Sequence, residues 1–191
     1  MLYNILRQIN WLDIFVIILL ARICYVAINT GLPIEIFKIL GTLCAIYFSF
    51  HYYSSLSGSI QKIVGFKNIP IGFLNFSSFL ILTVFSYGIF IILRKIFSSL
   101  VKIDSVSTLN KLGGVALGTI RGILLASLLV FIFVISGNGY LKGSVRASYS
   151  GKTLFKIAPA TYKTISNGFV SKLFPRQKVN SYITELGKNL S

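Results

Sequence analysis

Acidic residues are scarce in this chain of 191 residues, where four Asp and Glu stand against 19 Lys and Arg. Charged residues of both signs make up only 12% of the chain, compared with about 25% in an ordinary soluble domain. There is a single histidine. Metal centres and acid–base catalysis draw on clusters of carboxylates and imidazoles, and this sequence has few residues from which to build one. We therefore expect no catalytic residues, no metal site and no cofactor.

Catalytic motifs and a cysteine framework are also absent from the sequence. It contains no HExxH zinc motif, no complete GxxxxGK(S/T) phosphate-binding loop and no serine nucleophile with an acid–histidine pair. Cys24 and Cys44 lie inside apolar runs, which is typical of small core residues rather than of a disulfide framework. His51 closes an apolar run beside two tyrosines, and we interpret it as an interfacial polar residue. The sequence thus indicates a protein that is not an enzyme.

Long apolar runs dominate what is present, and hydrophobic residues make up 54% of the chain. A helix of about 20 residues, rising about 1.5 Å per residue, crosses the hydrocarbon layer of a bilayer. Four runs approach or reach this length, and they cover about residues 11–29, 35–53, 71–93 and 112–135. The predicted fold is therefore an all-α membrane protein. Its four transmembrane helices form two helical hairpins, and a basic amphipathic C-terminal segment follows them.

Breaks between the runs set the predicted organisation of residues 1–135 as a four-helix domain. Gly31 and Pro33 predict a tight turn between the first two runs, and the polar segment 54–68 separates the two hairpins. The alternative for the first run is a cleaved signal peptide, but Arg22 interrupts it and no A-x-A site follows, so we expect a retained span. Basic residues are shared evenly between the two predicted sides, so the orientation is not predicted.

The remaining segment, residues 136–191, is a basic tail with nine Lys and Arg against one acidic residue. An apolar stripe at helical spacing predicts an amphipathic helix over about 159–174, with Pro159 in its first turn. This helix either lies in the membrane interface or packs its stripe on the bundle's own loops. Because basic residues flank apolar spans, the positive charge indicates a bilayer with anionic headgroups as partner rather than nucleic acid.

A row of small residues lies in the fourth run, at Gly114, Gly118, Gly122 and Ala126. Residues four apart share one face of a helix, so the row forms a shallow groove that a second helix can approach closely. A weaker row in the second run contains Gly41 and Ala45. The pattern predicts that the fourth span packs on the second, or on a partner membrane protein or a second copy of the chain.

Charged residues within the predicted spans suggest polar contacts inside the membrane, and these residues are Asp13, Arg22 and Arg121. An arginine within a span costs a few kcal/mol by insertion scales, so it is paired or reaches the interface. Arg121 either extends towards the Lys111 side or faces the bundle interior, where helix-end carbonyls, Asp13 and Asp104 are candidate partners. Two intramembrane arginines would also suit an anion or a phospholipid headgroup.

Two segments resemble the colicin V production protein family of bacterial inner-membrane proteins. The first is Asn10-Trp11-Leu12-Asp13-Ile14, with the Leu-Asp pair that the family typically shows at its first span. The second, residues 109–122, contains the glycine-rich stretch ending in Arg-Gly that is typical of the fourth span. The resemblance covers about residues 10–165. The connection over residues 29–38 departs from it, because that of the family is usually richer in Arg and Gly.

The resemblance implies a multi-pass protein of the bacterial inner membrane. It implies a non-enzymatic role in toxin production, export or envelope assembly through helix–helix contacts, with a membrane protein or a second copy as partner. The matching positions, for which we expect packing or assembly roles, are Asp13, Gly114, Gly118, Arg121 and Gly122. The alternative function is a small transporter or channel subunit for an anionic solute or lipid.

Overall fold

The computed structural model describes residues 10–64, 69–100 and 108–173, and these residues form helices and short connections. The helices are α1 (Trp11–Val64), α2 (Ile71–Leu100), α3 (Thr108–Ile135), α4 (Gly139–Ala147), α5 (Tyr149–Ile165), a π-helical turn (Ser166–Val170) and α6 (Ser171–Leu173). Three of them, α1 to α3, are long and apolar enough to cross a membrane, so the chain is a multi-pass membrane protein. Position 174, at the end of the predicted amphipathic helix, and the tail beyond it lie outside the described residues.

Gly31 interrupts α1 and divides it into residues 11–30 and 32–64. Its backbone has φ 73° and ψ 173°, a conformation that glycine adopts without the steric penalty of a Cβ. Pro33 lies in the first turn of the second half, where its missing N–H leaves no helical hydrogen bond unmade. Gly31 and Pro33, which predicted a turn from the sequence, therefore produce the break in α1.

The chain reverses direction at this break, and its contacts with α3 follow the reversal. The Trp11 ring lies 6.1 Å from that of Phe133, near the end of α3. Gly31 lies against Gly114, near the start of α3. The Phe50 ring lies 4.4 Å from that of Phe131, near the end of α3 again. The two halves of α1 thus run along α3 in opposite directions.

Helix α1 extends beyond the predicted end of the second span at residue 53 and continues to Val64. The segment 54–68 was predicted as a polar loop, but its first part is helical. Ser57 shows why this polar segment is tolerated in the helix: its hydroxyl oxygen lies 3.0 Å from the Ser54 carbonyl oxygen and 2.7 Å from Asn75 Oδ1 on α2, so its one hydrogen has two acceptors within reach. Tertiary and local hydrogen bonds thus outweigh the loop preference of serine and glycine.

The core is a cluster of aromatic rings between α1, α2, α3 and α5. Phe50, Phe79 and Phe131 are fully buried, and their ring centroids lie 4.4–5.3 Å apart. Phe155 stacks on Phe131 at 5.7 Å, and Tyr162 stacks on Phe50 at 5.7 Å. Because lipid tails are as apolar as these side chains, close packing rather than escape from water holds such a core together in a membrane.

Helix α5 begins at Tyr149, and its N-cap Ser148 accepts a hydrogen bond from the Gly151 N–H. The prediction that a helix begins at Pro159 was therefore wrong, because Pro159 lies inside α5. Ser127 of α3 reaches α5 immediately before this proline. Its hydroxyl donates to the Leu154 carbonyl and accepts from the Ala158 N–H at 2.7 Å, so it bridges two groups that a regular helix would pair directly.

The apolar face of α5 packs on the helices of the bundle. Tyr162, in the predicted apolar stripe, is fully buried, and its hydroxyl lies 3.0 Å from His51 Nδ1 on α1. Ala158 is also fully buried. The outer face of α5 is basic, with Lys152, Lys156 and Lys163 exposed. Tyr162 of the predicted stripe therefore contacts α1, a neighbouring helix rather than a loop.

Candidate functional site

A buried cluster of three charged side chains lies between α1 and α3, and we call Glu35, Lys38 and Arg121 the charge cluster. Glu35 is fully buried, and Lys38 and Arg121 are 7% and 6% exposed. Lys38 Nζ lies 2.5 Å from Glu35 Oε1, and Arg121 Nε lies 3.0 Å from Glu35 Oε2. One carboxylate therefore faces two cations. Buried charges are tolerated when they are paired in this way.

The local sequence explains how the charge cluster is assembled. Glu35 and Lys38 are three residues apart, so they share one face of the second half of α1. Thr30, just before the break, donates its hydroxyl to Glu35 Oε1 at 2.8 Å and accepts from Lys38 Nζ at 3.2 Å. Arg121 extends from α3 and also reaches the Tyr87 hydroxyl of α2 at 3.5 Å. The cluster thus joins both halves of α1 to α2 and α3.

A narrow cleft opens beside the charge cluster, between the second half of α1 and α2. Lys38 contributes to both the charge cluster and the cleft wall. The residues that line the cleft are Phe37, Lys38, Tyr87, Phe90, Ile91 and Arg94. Two cationic and three apolar side chains therefore meet around one opening.

Asp13 is the second buried carboxylate, and it binds the start of α5 at the other end of the bundle. Asp13 Oδ1 accepts from the Ser148 hydroxyl at 2.6 Å, from the Ser150 hydroxyl at 2.5 Å and from the Ser150 N–H at 2.9 Å. The first N–H groups of a helix have no partner within the helix, and the N-terminal end of the helix dipole favours negative charge. Trp11 Nε1 also donates to Ser144 Oγ at 3.0 Å. The start of α1 is thus fastened to the tail.

A protein-family model described as colicin V production protein matches residues 12–159. The chain belongs to this family. No curated protein and no solved structure matches the chain. The matched region includes Asp13, the first part of α5, the charge cluster and the glycine row of α3.

The glycine row of this colicin V production family member lies against the first half of α1. A Cβ at Gly114 would lie 3.0 Å from the Ala27 carbonyl oxygen, and one at Gly122 would lie 2.9 Å from Leu20 Cδ2. A Cβ at Gly118 would overlap Ala27 Cβ. The first half of α1 occupies the groove of this row, whereas the predicted packing of the fourth span on the second occurs at other positions of α3. The second half contacts α3 beside the row, where Glu35 faces Arg121, and beyond it, where Phe50 meets Phe131.

The other small residues predicted for helix contacts are also buried. Ala126 and Ala45 are each 1% exposed. A Cβ at Gly41 would lie 2.8 Å from Phe90 Cβ, so Gly41 allows α2 to approach the second half of α1. The two rows therefore serve different interfaces, one towards α1 and one towards α2.

The two arginines that were predicted to lie within spans, Arg22 and Arg121, have different environments in the structure. Arg22 is exposed on the first half of α1, close to the exposed Tyr25, whereas Arg121 is buried in the charge cluster. The partner of Arg121 is Glu35 rather than Asp13, which α5 engages; Asp104 lies outside the described residues.

Sequence reasoning missed Glu35, Lys38 and Ser127 as contact residues. The available signal was the three-residue spacing of Glu35 and Lys38 in a chain with few acids, which favours a shared face and a shared partner. In the described ranges, no group of three or more His, Cys, Asp and Glu side chains is placed to hold a metal ion.

Proposed function

We propose that this protein is a non-enzymatic, four-span protein of the bacterial inner membrane that supports toxin production, export or envelope assembly by contacts with a partner inside the membrane. Membership of the colicin V production family supports the setting. The reversal of α1 at Gly31 supports four crossings, because each half runs the length of α3. With four crossings, both ends of the bundle domain lie on one side of the bilayer.

The main observation in support of a partner is that most apolar side chains of α2 are not covered by the rest of the protein. Only 17% of the residues in its most apolar stretch are buried, compared with 67% in α3. Its outer face has a continuous apolar stripe at helical spacing, formed by Ile81, Val84, Phe85, Gly88 and Ile92. A Cβ at Gly88 would meet no atom within 4 Å, so the protein itself does not need the small residue there. A partner helix that packs closely on α2 would need it.

The glycine row of α3 supports the same assignment by elimination. Leu20, Ile23 and Ala27 already occupy its groove, so the row stabilises the bundle from within. A substitution such as Gly118→Leu would therefore disturb the fold together with any partner. Substitutions on α2 separate the two effects.

The test places a photo-crosslinking residue at Val84, which is 64% exposed, and at Phe79, which is fully buried on the same helix. We expect crosslinks to a membrane protein or a second copy from position 84 and none from position 79. Gly88→Leu should abolish the crosslink, whereas Gly58→Leu, at an equally open position of α1, should preserve it. Adducts to lipid alone from position 84, in cells that produce the toxin or rebuild the envelope, would contradict the proposal.

The alternative, a transporter or channel subunit, draws support from the charge cluster, because ionised residues within a membrane often lie on a solute path. Flux of an anion through vesicles that contain the purified protein would favour this alternative. Sealed vesicles, together with the crosslinks above, would favour the assembly role.

A further inference from the structure

We infer that the cleft between the second half of α1 and α2 binds a phosphate group carried by an anionic lipid. The first observation is an excess of positive charge beside the cleft. Glu35 is the one carboxylate within the charge cluster, and it faces both Lys38 and Arg121. Arg94 adds a third cation at the cleft wall. In the described ranges the one other acid is Asp13, which α5 engages at the far end of the bundle.

The donors at the cleft are suited to an oxyanion. Lys38 has three N–H donors, and its contacts with Glu35 and Thr30 use two of them. The planar guanidinium of Arg94 can hold two phosphate oxygens at once. Both side chains line the same cleft, so a phosphate between them would be contacted by two cations.

The other cleft residues indicate that the phosphate belongs to a lipid. Phe37, Phe90 and Ile91 line the cleft beside the two cations, so apolar side chains adjoin both charges. A free phosphate ion would contact the cations and gain nothing from this apolar surface. A lipid would place its headgroup on the cations and an acyl chain along the aromatic rings.

The position of the cleft in the bundle agrees with this assignment. Arg94 follows the uncharged stretch of α2, and Lys38 lies about two helical turns beyond the break at Gly31. The same end of the bundle contains Asn110, which accepts from the Leu32 N–H at 2.8 Å. Cations near the end of a span reach towards the headgroup level, where lipid phosphates lie.

The test uses the full-length protein in lipid discs that contain phosphatidylcholine and phosphatidylglycerol, with retained lipid measured by native mass spectrometry. We expect selective retention of phosphatidylglycerol by the natural protein. Arg94→Met should reduce that retention about tenfold, because it removes one charge-assisted contact without touching the charge cluster. Arg22→Met removes an equal charge from the exposed surface of α1 and should leave retention unchanged.

A second arm adds an excess of inorganic phosphate to discs of phosphatidylcholine alone and measures the thermal stability of the protein. We expect phosphatidylglycerol to raise the unfolding temperature and inorganic phosphate to leave it unchanged. Equal stabilisation by inorganic phosphate would overturn the lipid assignment. Equal loss of phosphatidylglycerol from the Arg94→Met and Arg22→Met variants would overturn the cleft as its site.

Discussion

Glu35 and Arg121 meet at the interface of the second half of α1 with α3, with 3.0 Å between Oε2 and Nε. Lys38 contacts the other oxygen of the same carboxylate. The pair allows charged residues to lie inside long apolar helices, because each charge has a fixed partner. It also sets the register of α3 against the helical hairpin formed by the two halves of α1.

Glu35→Gln should lower the free energy of unfolding by about 3–5 kcal/mol, because it leaves two buried cations without a counter-charge. Chemical unfolding of the purified protein in detergent micelles measures this change. The double variant Glu35→Gln/Arg121→Gln removes one cation as well, and it should lose less stability than the sum of the two single variants. Additive losses would show that the two side chains do not interact.

Gly118→Ala should destabilise the bundle by about 1–3 kcal/mol, because its Cβ would overlap that of Ala27. Removing the opposing methyl group in Gly118→Ala/Ala27→Gly should restore part of this loss, as measured by the unfolding temperature. Gly88→Ala is the matched control, since an added Cβ there meets no atom within 4 Å. If the second substitution deepened the loss, the proposed contact between these two residues would be incorrect.

Ser127→Ala should cost about 1–3 kcal/mol, because it leaves the Leu154 carbonyl and the Ala158 N–H without their bridging hydroxyl. The loss should concentrate in α5, so hydrogen exchange over residues 152–160 should accelerate. Thr164→Ala provides the control, since the exposed Thr164 hydroxyl donates to the Ala160 carbonyl within the same helix. Comparable exchange in the two variants would argue against a bridge at the proline.

Asp13→Ala should weaken the start of α5 by about 1–2 kcal/mol, because three hydrogen bonds from Ser148 and Ser150 lose their acceptor. Amide exchange should accelerate at residues 149–152 and remain slow in the second half of α1. Asp13→Asn keeps an acceptor oxygen but removes the charge, so its effect should be intermediate. Unchanged protection of α5 from exchange in the alanine variant would show that Asp13 does not stabilise the start of this helix.

Features that depend only on residues close together in the sequence were predictable. Gly31 and Pro33 act through their own backbone geometry, so the break in α1 follows from two adjacent signals. The length and hydropathy of α2 and α3 likewise predict membrane spans, because both properties belong to each helix alone.

Features that depend on helix register were not predictable in the same way. Glu35 and Arg121 meet because the two halves of α1 pack on α3 in one particular register. The sequence does not specify that register directly. Pro159 shows a local rule that was overridden, since capping by Ser148 begins the helix earlier and Ser127 supports the chain next to the proline.

The side of the bilayer on which each segment lies is the most direct test of the hairpin in α1. Cys24 and Cys44 would be replaced by alanine, single cysteines placed at Asn29 and Gln61, and a cleavable tag added before Met1, all probed with impermeant reagents in oriented vesicles. We predict that Gln61 and the tag react from one side and that Asn29 reacts from the other. A tag and Gln61 on opposite sides, with Asn29 inaccessible from both, would show that α1 crosses once and would contradict the hairpin.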